Sequence, residues 1–196
     1  MHRLAIKITD YLIENEVSEP GKRDYYIYGC EILLLKLVNV GTLLGIAIAM
    51  GKSLEGIILL LTFMTLRKYT GGFHLNSALS CYIFTALVYG ISLYLCTEYR
   101  VSKGICIIIV LMSYVIIASC APIDNPNLNL TVGEIKAMRK QLRKILWLFL
   151  VVFVAMILSG EDARYIAPMV MGIGLDASFM VVIIIQRKRG EKDAKD

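Results

Sequence analysis

Tyr165-Ile166-Ala167-Pro168-Met169-Val170-Met171-Gly172-Ile173-Gly174-Leu175-Asp176-Ala177-Ser178-Phe179-Met180-Val181-Val182-Ile183-Ile184-Ile185 decides the class of this chain. Asp176 is its one charge, and the run reaches the ~20 residues needed to cross the hydrocarbon core of a bilayer. Working outward, Leu37–Met50, Leu54–Leu66, Tyr82–Cys96, Gly104–Cys120 and Ile145–Leu158 are shorter runs of the same kind. Over 196 residues the chain is 57% hydrophobic and only 19% charged. A soluble domain carries more charge and shorter apolar runs. The expected fold is an all-α integral membrane protein with about six transmembrane helices. Leu54–Leu66 is too short to span unaided, so it borrows flanking residues, tilts, or lies in thinned bilayer. Four spans plus two re-entrant or shallow segments is the alternative count.

Charge placement orients the spans. With alternating loops, one side takes the N-terminus, 67–81, 121–144 and the tail from Gln186, with sixteen Lys and Arg between them. The other side holds only Lys52, Arg100, Lys103 and Arg164. The positive-inside rule then puts both termini and the 67–81 segment in the cytoplasm, in a multi-pass protein of the cell membrane. No cleavable signal is visible, so the first span is expected to direct insertion. The five cysteines, Cys30, Cys81, Cys96, Cys106 and Cys120, form no CxxC pair. That argues against a disulfide framework and against zinc. No cofactor, metal or nucleic acid is called for.

One domain is expected, in three parts: an amphipathic stretch over 1–30, a bundle over 31–185 and a tail over 186–196. Residues 3–14 set Leu4, Ile8, Tyr11 and Leu12 against Arg3, Lys7, Asp10 and Glu14. That suits a helix lying in the inner membrane interface, or one packed on the protein's own loops. Ser18-Glu19-Pro20-Gly21 reads as a turn, with a helix over Arg23–Lys36 leading into the first span. Ala121-Pro122 opens a turn that ends the fourth span. Thr131 with Glu134 is a capping-box pair, starting a basic helix over Gly133–Lys144. The tail beyond Gln186 reads as charged and disordered.

Between the second and third apolar runs lies Arg67-Lys68-Tyr69-Thr70-Gly71-Gly72-Phe73-His74-Leu75-Asn76-Ser77-Ala78-Leu79-Ser80-Cys81. The chain has two histidines, and the other, His2, is at the N-terminus. A thiol is a useful nucleophile only as thiolate, and a nearby imidazole is the common way to generate one. In one straight helix His74 and Cys81 would stand about 10.5 Å apart along the axis, too far to share a proton. The pair works only if the chain breaks between them, or if they come from two subunits. Gly71-Gly72 supplies a turn, and Asn76 or Ser77 can cap a new helix. His74 is therefore expected in a turn and Cys81 in the first turns of the third span, where the helix dipole favours thiolate. The bland readings are an apolar filler cysteine, a headgroup-contact histidine, and Arg67 and Lys68 as plain positive-inside flanks.

The order basic residue, Gly-Gly, aromatic, His, then Cys seven residues on resembles the active-site segment of the accessory gene regulator B (AgrB) family. These are integral-membrane cysteine endopeptidases of Gram-positive quorum sensing. Length, the amphipathic N-terminus, the Ala121-Pro122 turn and the basic stretch after it are also similar, so the resemblance covers most of the chain. It implies His74 and Cys81 as the catalytic pair, and Arg67 and Gly72 as loop positions beside Lys68 and Gly71. The implied substrate is a short AgrD-type propeptide whose acidic C-terminal tail is removed through a thioester, allowing cyclisation to a thiolactone. A homodimer in contact with membrane lipids is implied too. Lys136, Arg139 and Lys140 either anchor the chain to anionic lipid or receive the acidic tail.

Asp176 and Glu55 are intramembrane acids, which mark a pairing or a pathway. Counted from Gln186, Asp176 falls about 15 Å deep, near mid-bilayer, so an interhelical bond or water pocket is expected rather than a catalytic role. A small transporter, suggested by these acids with Gly172 and Gly174, or a non-enzymatic peptide scaffold, are the rival readings.

Overall fold

The structure is a computed structural model and describes residues 2–15, 17, 20–71, 78–99, 101–123, 131–160 and 163–193. Among these, seven α-helices and one 3-10 turn account for the secondary structure, with no strand. The helices are α1 (His2–Glu14), α2 (Arg23–Ala49), α3 (Ser53–Thr70), α4 (Ala78–Glu98), α5 (Lys103–Cys120), α6 (Val132–Leu158) and α7 (Ala163–Asp193). Each of the six apolar runs lies in its own helix, from α2 to α7. Five of these, all but α3, are long and apolar enough to cross a membrane. The chain is an all-α, multi-pass membrane protein.

Two compact units divide it, Met1–Ile46 and Ala47–Asp196. In the first, α1 is joined to the start of α2 by side chains. Arg23 pairs with Asp10 at 2.8 Å, His2 Nδ1 lies 2.6 Å from Glu31 Oε1, and the Thr9 hydroxyl donates to Cys30 Sγ at 3.7 Å. The small residues Ala5 and Thr9 are buried, while Leu4 and Tyr11 stay exposed. Packing thus uses the small-residue face of α1 and leaves large apolar side chains over for an interface. Of the expected turn before α2, Ser18 and Glu19 lie outside the described residues, and Pro20–Lys22 form the 3-10 turn.

In the second unit α7 is the central element, packing on α3, α4, α5 and α6. Half of its apolar window is buried in the protein, against 11–22% for the other four candidate spans. The surface is inverted relative to a soluble protein. Ile105, Ile108, Leu111, Met112 and Val115 of α5 face outward, while Glu55, Thr62, Thr70, Ser92, Ser113 and Asp176 are buried. Lipid rather than water is the solvent that favours such a surface. Helix α3 explains itself in the same terms. It carries Glu55, Arg67 and Lys68 near its ends, and it buries Leu59, Leu60, Thr62 and Leu66. It is matched to protein more than to lipid. Close approach is set by glycine: a Cβ on Gly172 would stand 3.0 Å from Thr62 Cβ, and one on Gly174 3.3 Å from Ile109 Cγ2. Small residues at such contacts let helix backbones come together.

Two expectations change. The basic helix over Gly133–Lys144 and the run Ile145–Leu158 form one continuous α6, because neither Gly nor Pro separates them and Lys, Arg and Leu all favour helix. The tail beyond Gln186 is not irregular as expected, since α7 runs on to Asp193 through residues that are mostly good helix formers. The Thr131–Glu134 capping box forms as expected, with reciprocal bonds of 3.3 and 2.8 Å. So does the end of α5 at Cys120, just before Ala121-Pro122; the rest of that turn, from Asp124, lies outside the described residues.

Candidate functional site

Residue spacing within three helices decides what meets at the end of α3. Phe63, Arg67 and Thr70 share one face of α3, at helical intervals of four and three. Cys81 and Phe84 stand three apart on α4, as do Asp176 and Phe179 on α7. Since α3, α4 and α7 pack pairwise, these faces converge. Phe179 is the hub. Its ring centroid lies 5.9 Å from that of Phe63 and 5.8 Å from that of Phe84. The Arg67 guanidinium sits over the same ring, 5.3 Å from its centroid, a cation–π contact that orients the charge.

Beside this aromatic hub the polar groups are linked. Thr70 Oγ1 donates to Asp176 Oδ1 at 3.0 Å, and both residues are fully buried. Arg67 is half-buried at this end of α3. Cys81 is a free, half-buried thiol, the fourth residue of α4 and so in its first turn.

The backbone leaves α3 in one fixed direction. Ile123 N–H donates to Thr70 O at 2.9 Å, tying the stretch after α5 to the last turn of α3. Gly71 follows with φ +100°, and any Cβ there would meet Ile123 O at 2.5 Å. Only glycine fits both the backbone angle and the contact. Lys68 is exposed, over the ring of Tyr69. Gly72, His74 and the proposed Asn76–Ser77 cap lie outside the described residues. Lys136, Arg139 and Lys140 are exposed on the first half of α6. Among the described residues no hydrogen bond or ion pair joins them to the Cys81 cluster.

Thr70 carried no signal in the sequence, and Asp176 only that of an isolated intramembrane acid. Its bond to Thr70 is the interhelical contact expected of it. The contact lies at the last residue of α3. The opposite end of α3 has its own polar group. Buried Glu55 pairs with Arg164 of α7, and Lys52 lies 3.5 Å from Glu98 of α4. A cavity of about 240 Å³ opens there, lined by Lys52, Cys96, Tyr99 and Arg164 among others.

The family profile described as accessory gene regulator B matches residues 5–185. The chain is 28% identical over 160 residues to an AgrB-like protein of Clostridium perfringens, covering 74% of this chain and 72% of the relative. An AgrB-like protein of Listeria monocytogenes is 27% identical over 88 residues, 44% of this chain and 43% of its own length. The accessory gene regulator protein B of Staphylococcus intermedius is 22% identical over 138 residues, 70% of this chain and 72% of that protein. No solved structure gives a significant match. The chain belongs to the accessory gene regulator B family, and that membership supports a role in processing quorum-sensing autoinducers.

Proposed function

From membership of this family as premise, we propose that the chain is a membrane-embedded cysteine endopeptidase acting on a short AgrD-type propeptide at the cytoplasmic face. The observation that carries the reading is Cys81, a free, half-buried thiol in the first turn of α4. His74 stands seven residues before it in sequence.

In the proposed reaction His74 takes the Cys81 proton, and the thiolate attacks the scissile carbonyl. As the tetrahedral intermediate collapses, the C–N bond breaks and His74 returns the proton to the leaving amine. The acidic C-terminal tail departs, and the remaining peptide is held to Cys81 as a thioester. A cysteine thiol within that peptide then gives its proton to His74 and attacks the thioester carbonyl, releasing Cys81 as thiolate and the peptide as a thiolactone ring. One thioester replaces another, so ring closure needs no further energy source. N–H groups of the first turn of α4 have no intrahelical acceptor and are available to the oxyanion. Arg67, Lys68, Gly71 and Gly72 shape the loop, while Lys136, Arg139 and Lys140 receive the acidic tail. The working unit is a homodimer.

Co-expression with the short propeptide encoded nearest to this chain, tagged at its N-terminus, tests the proposal. Wild type should convert the peptide to a shorter form. Cys81→Ser and His74→Ala should leave it intact yet still bound to the membrane protein. Cleavage by Cys81→Ser at the wild-type rate would contradict the assignment.

A further inference from the structure

The end of the bundle opposite Cys81 holds a cavity of about 240 Å³ that the proposed reaction does not use. Helix α4 separates the two. Cys81 is in its first turn, Cys96 and Thr97 are in its last, and its 21 residues cover about 30 Å. That length matches the hydrocarbon core, so the cavity opens at headgroup depth in the leaflet away from Cys81. Two cations and no acid line it: Lys52 from the turn before α3, and Arg164 from the start of α7. An acid stands behind each. Glu55 is buried against Arg164, and half-exposed Glu98 lies 3.5 Å from Lys52. Two closed ion pairs need no hollow between them, yet here both cations border one space. Helices α3 and α7 begin at this end while α4 finishes there, so positive helix ends outnumber negative ones. The volume falls short of the ~300–1,000 Å³ of pockets for drug-sized ligands, which suits a small anionic group rather than a peptide. Tyr99 ties the cavity to lipid. It lines the cavity and heads a row of exposed side chains at intervals of four, Leu95, Ile91 and Leu87, down one face of α4. An acyl chain laid along that row brings its headgroup to Lys52 and Arg164.

We infer that this cavity is a binding site for the phosphate group of an anionic phospholipid, held between Lys52 and Arg164 in the leaflet opposite Cys81. The acyl chain lies along the Leu87–Tyr99 row. A phosphodiester offers two unesterified oxygens. Arg164 meets them with a planar fork of N–H groups and Lys52 with a compact ammonium. Glu98 is the looser and more exposed of the two acids, so it is the one that yields its cation to the phosphate. The bound lipid joins the turn before α3 to the start of α7. That steadies α3, the one helix from α2 to α7 that is not apolar enough to hold the membrane by itself. The site does not depend on the chemistry proposed for Cys81, and its test needs no propeptide.

The experiment acetylates lysines of the full-length protein in nanodiscs and reads Lys52 by peptide mapping. Lys103, exposed at the start of α5 beside cavity-lining Val101, is the internal reference. Nanodiscs of phosphatidylglycerol are compared with nanodiscs of digalactosyldiacylglycerol, a bilayer lipid without phosphate. Acetylation of Lys52 relative to Lys103 should be several-fold slower in phosphatidylglycerol. Arg164→Gln should remove most of that protection, and Arg164→Lys should keep it. Glu98→Gln should leave the difference between the lipids in place, because phosphate rather than this carboxylate shields the amine. Equal acetylation in the two lipids, or a difference that disappears in Glu98→Gln, would overturn the inference. Glycerol phosphate added to the galactolipid nanodiscs identifies the source of the phosphate. No protection supports a lipid, and protection equal to that in phosphatidylglycerol overturns the lipid assignment in favour of a soluble phosphate ester. Should Arg164→Gln open buried Cys106 to alkylation, a sign of lost fold, native mass spectrometry of Lys52→Gln decides instead. Loss of a retained phosphatidylglycerol relative to wild type supports the site, and equal retention overturns it.

Discussion

Two acids lie inside the bundle, and each is met by a side chain from a different helix, Glu55 by Arg164 and Asp176 by Thr70. Glu55 is the simpler case. Its side chain is 3% exposed and its partner Arg164 is 50% exposed, so the pair sits at the rim with the acid inside. Removing the arginine leaves a buried carboxylate with less compensation than before. Arg164→Ala should therefore lower stability by roughly 1–3 kcal/mol, below the full cost of breaking a wholly buried pair because water still reaches one side. Glu55→Gln in the same background should recover most of the loss, read as a melting temperature in detergent. Recovery would show that uncompensated charge is the cost; no recovery would assign the loss to packing of the arginine stem. The two acids were visible in the sequence as intramembrane charges, but their partners were not. Arg164 read as a loop cation, and Thr70 as an ordinary residue near a glycine turn. A partner 109 residues away in sequence is set by which helix faces meet, and no local pattern encodes that.

Helix existence and order were legible because each apolar run is nearly continuous and most of the breaks carry Gly, Pro or Asn. Helix ends were less so. The basic segment before Ile145 and the charged tail after Gln186 read as separate elements because their composition changes abruptly. A backbone helix is indifferent to that change when every residue tolerates helix. Glycines were read as a transporter signal, yet Gly172 and Gly174 are filled against Thr62 and Ile109. Gly172→Leu should accordingly force α7 from α3 and cost about 1–3 kcal/mol, the usual penalty for overpacking a close contact. A substitution that leaves the melting temperature in detergent unchanged would mean that this contact is looser than the structure has it.

At the scale of the second unit, an apolar exterior surrounds an apolar core, and the polar groups at the two ends of α3 differ. One end of α3 carries Arg67, Thr70 and the thiol side of α4; the other carries Lys52, Glu55, Arg164 and a cavity. The basic first half of α6 distinguishes its two proposed roles by kinetics. With Lys136, Arg139 and Lys140 all changed to Gln, KM for a propeptide with an acidic tail should rise several-fold with kcat held. The increase should shrink as salt is raised, since exposed charges are screened. A propeptide with a neutralised tail should show no such dependence. Equal losses for both peptides would assign the cluster to lipid anchoring.

The central claim is the covalent one, and intact-mass spectrometry tests it most directly. Purified protein in nanodiscs is mixed with the propeptide encoded nearest to it and quenched in acid, which preserves thioesters. The account predicts an adduct equal to the propeptide minus its C-terminal tail, mapped to Cys81, absent from Cys81→Ala and strongly reduced in His74→Ala. Unmodified protein and intact peptide, with binding demonstrated in the same sample, would contradict it.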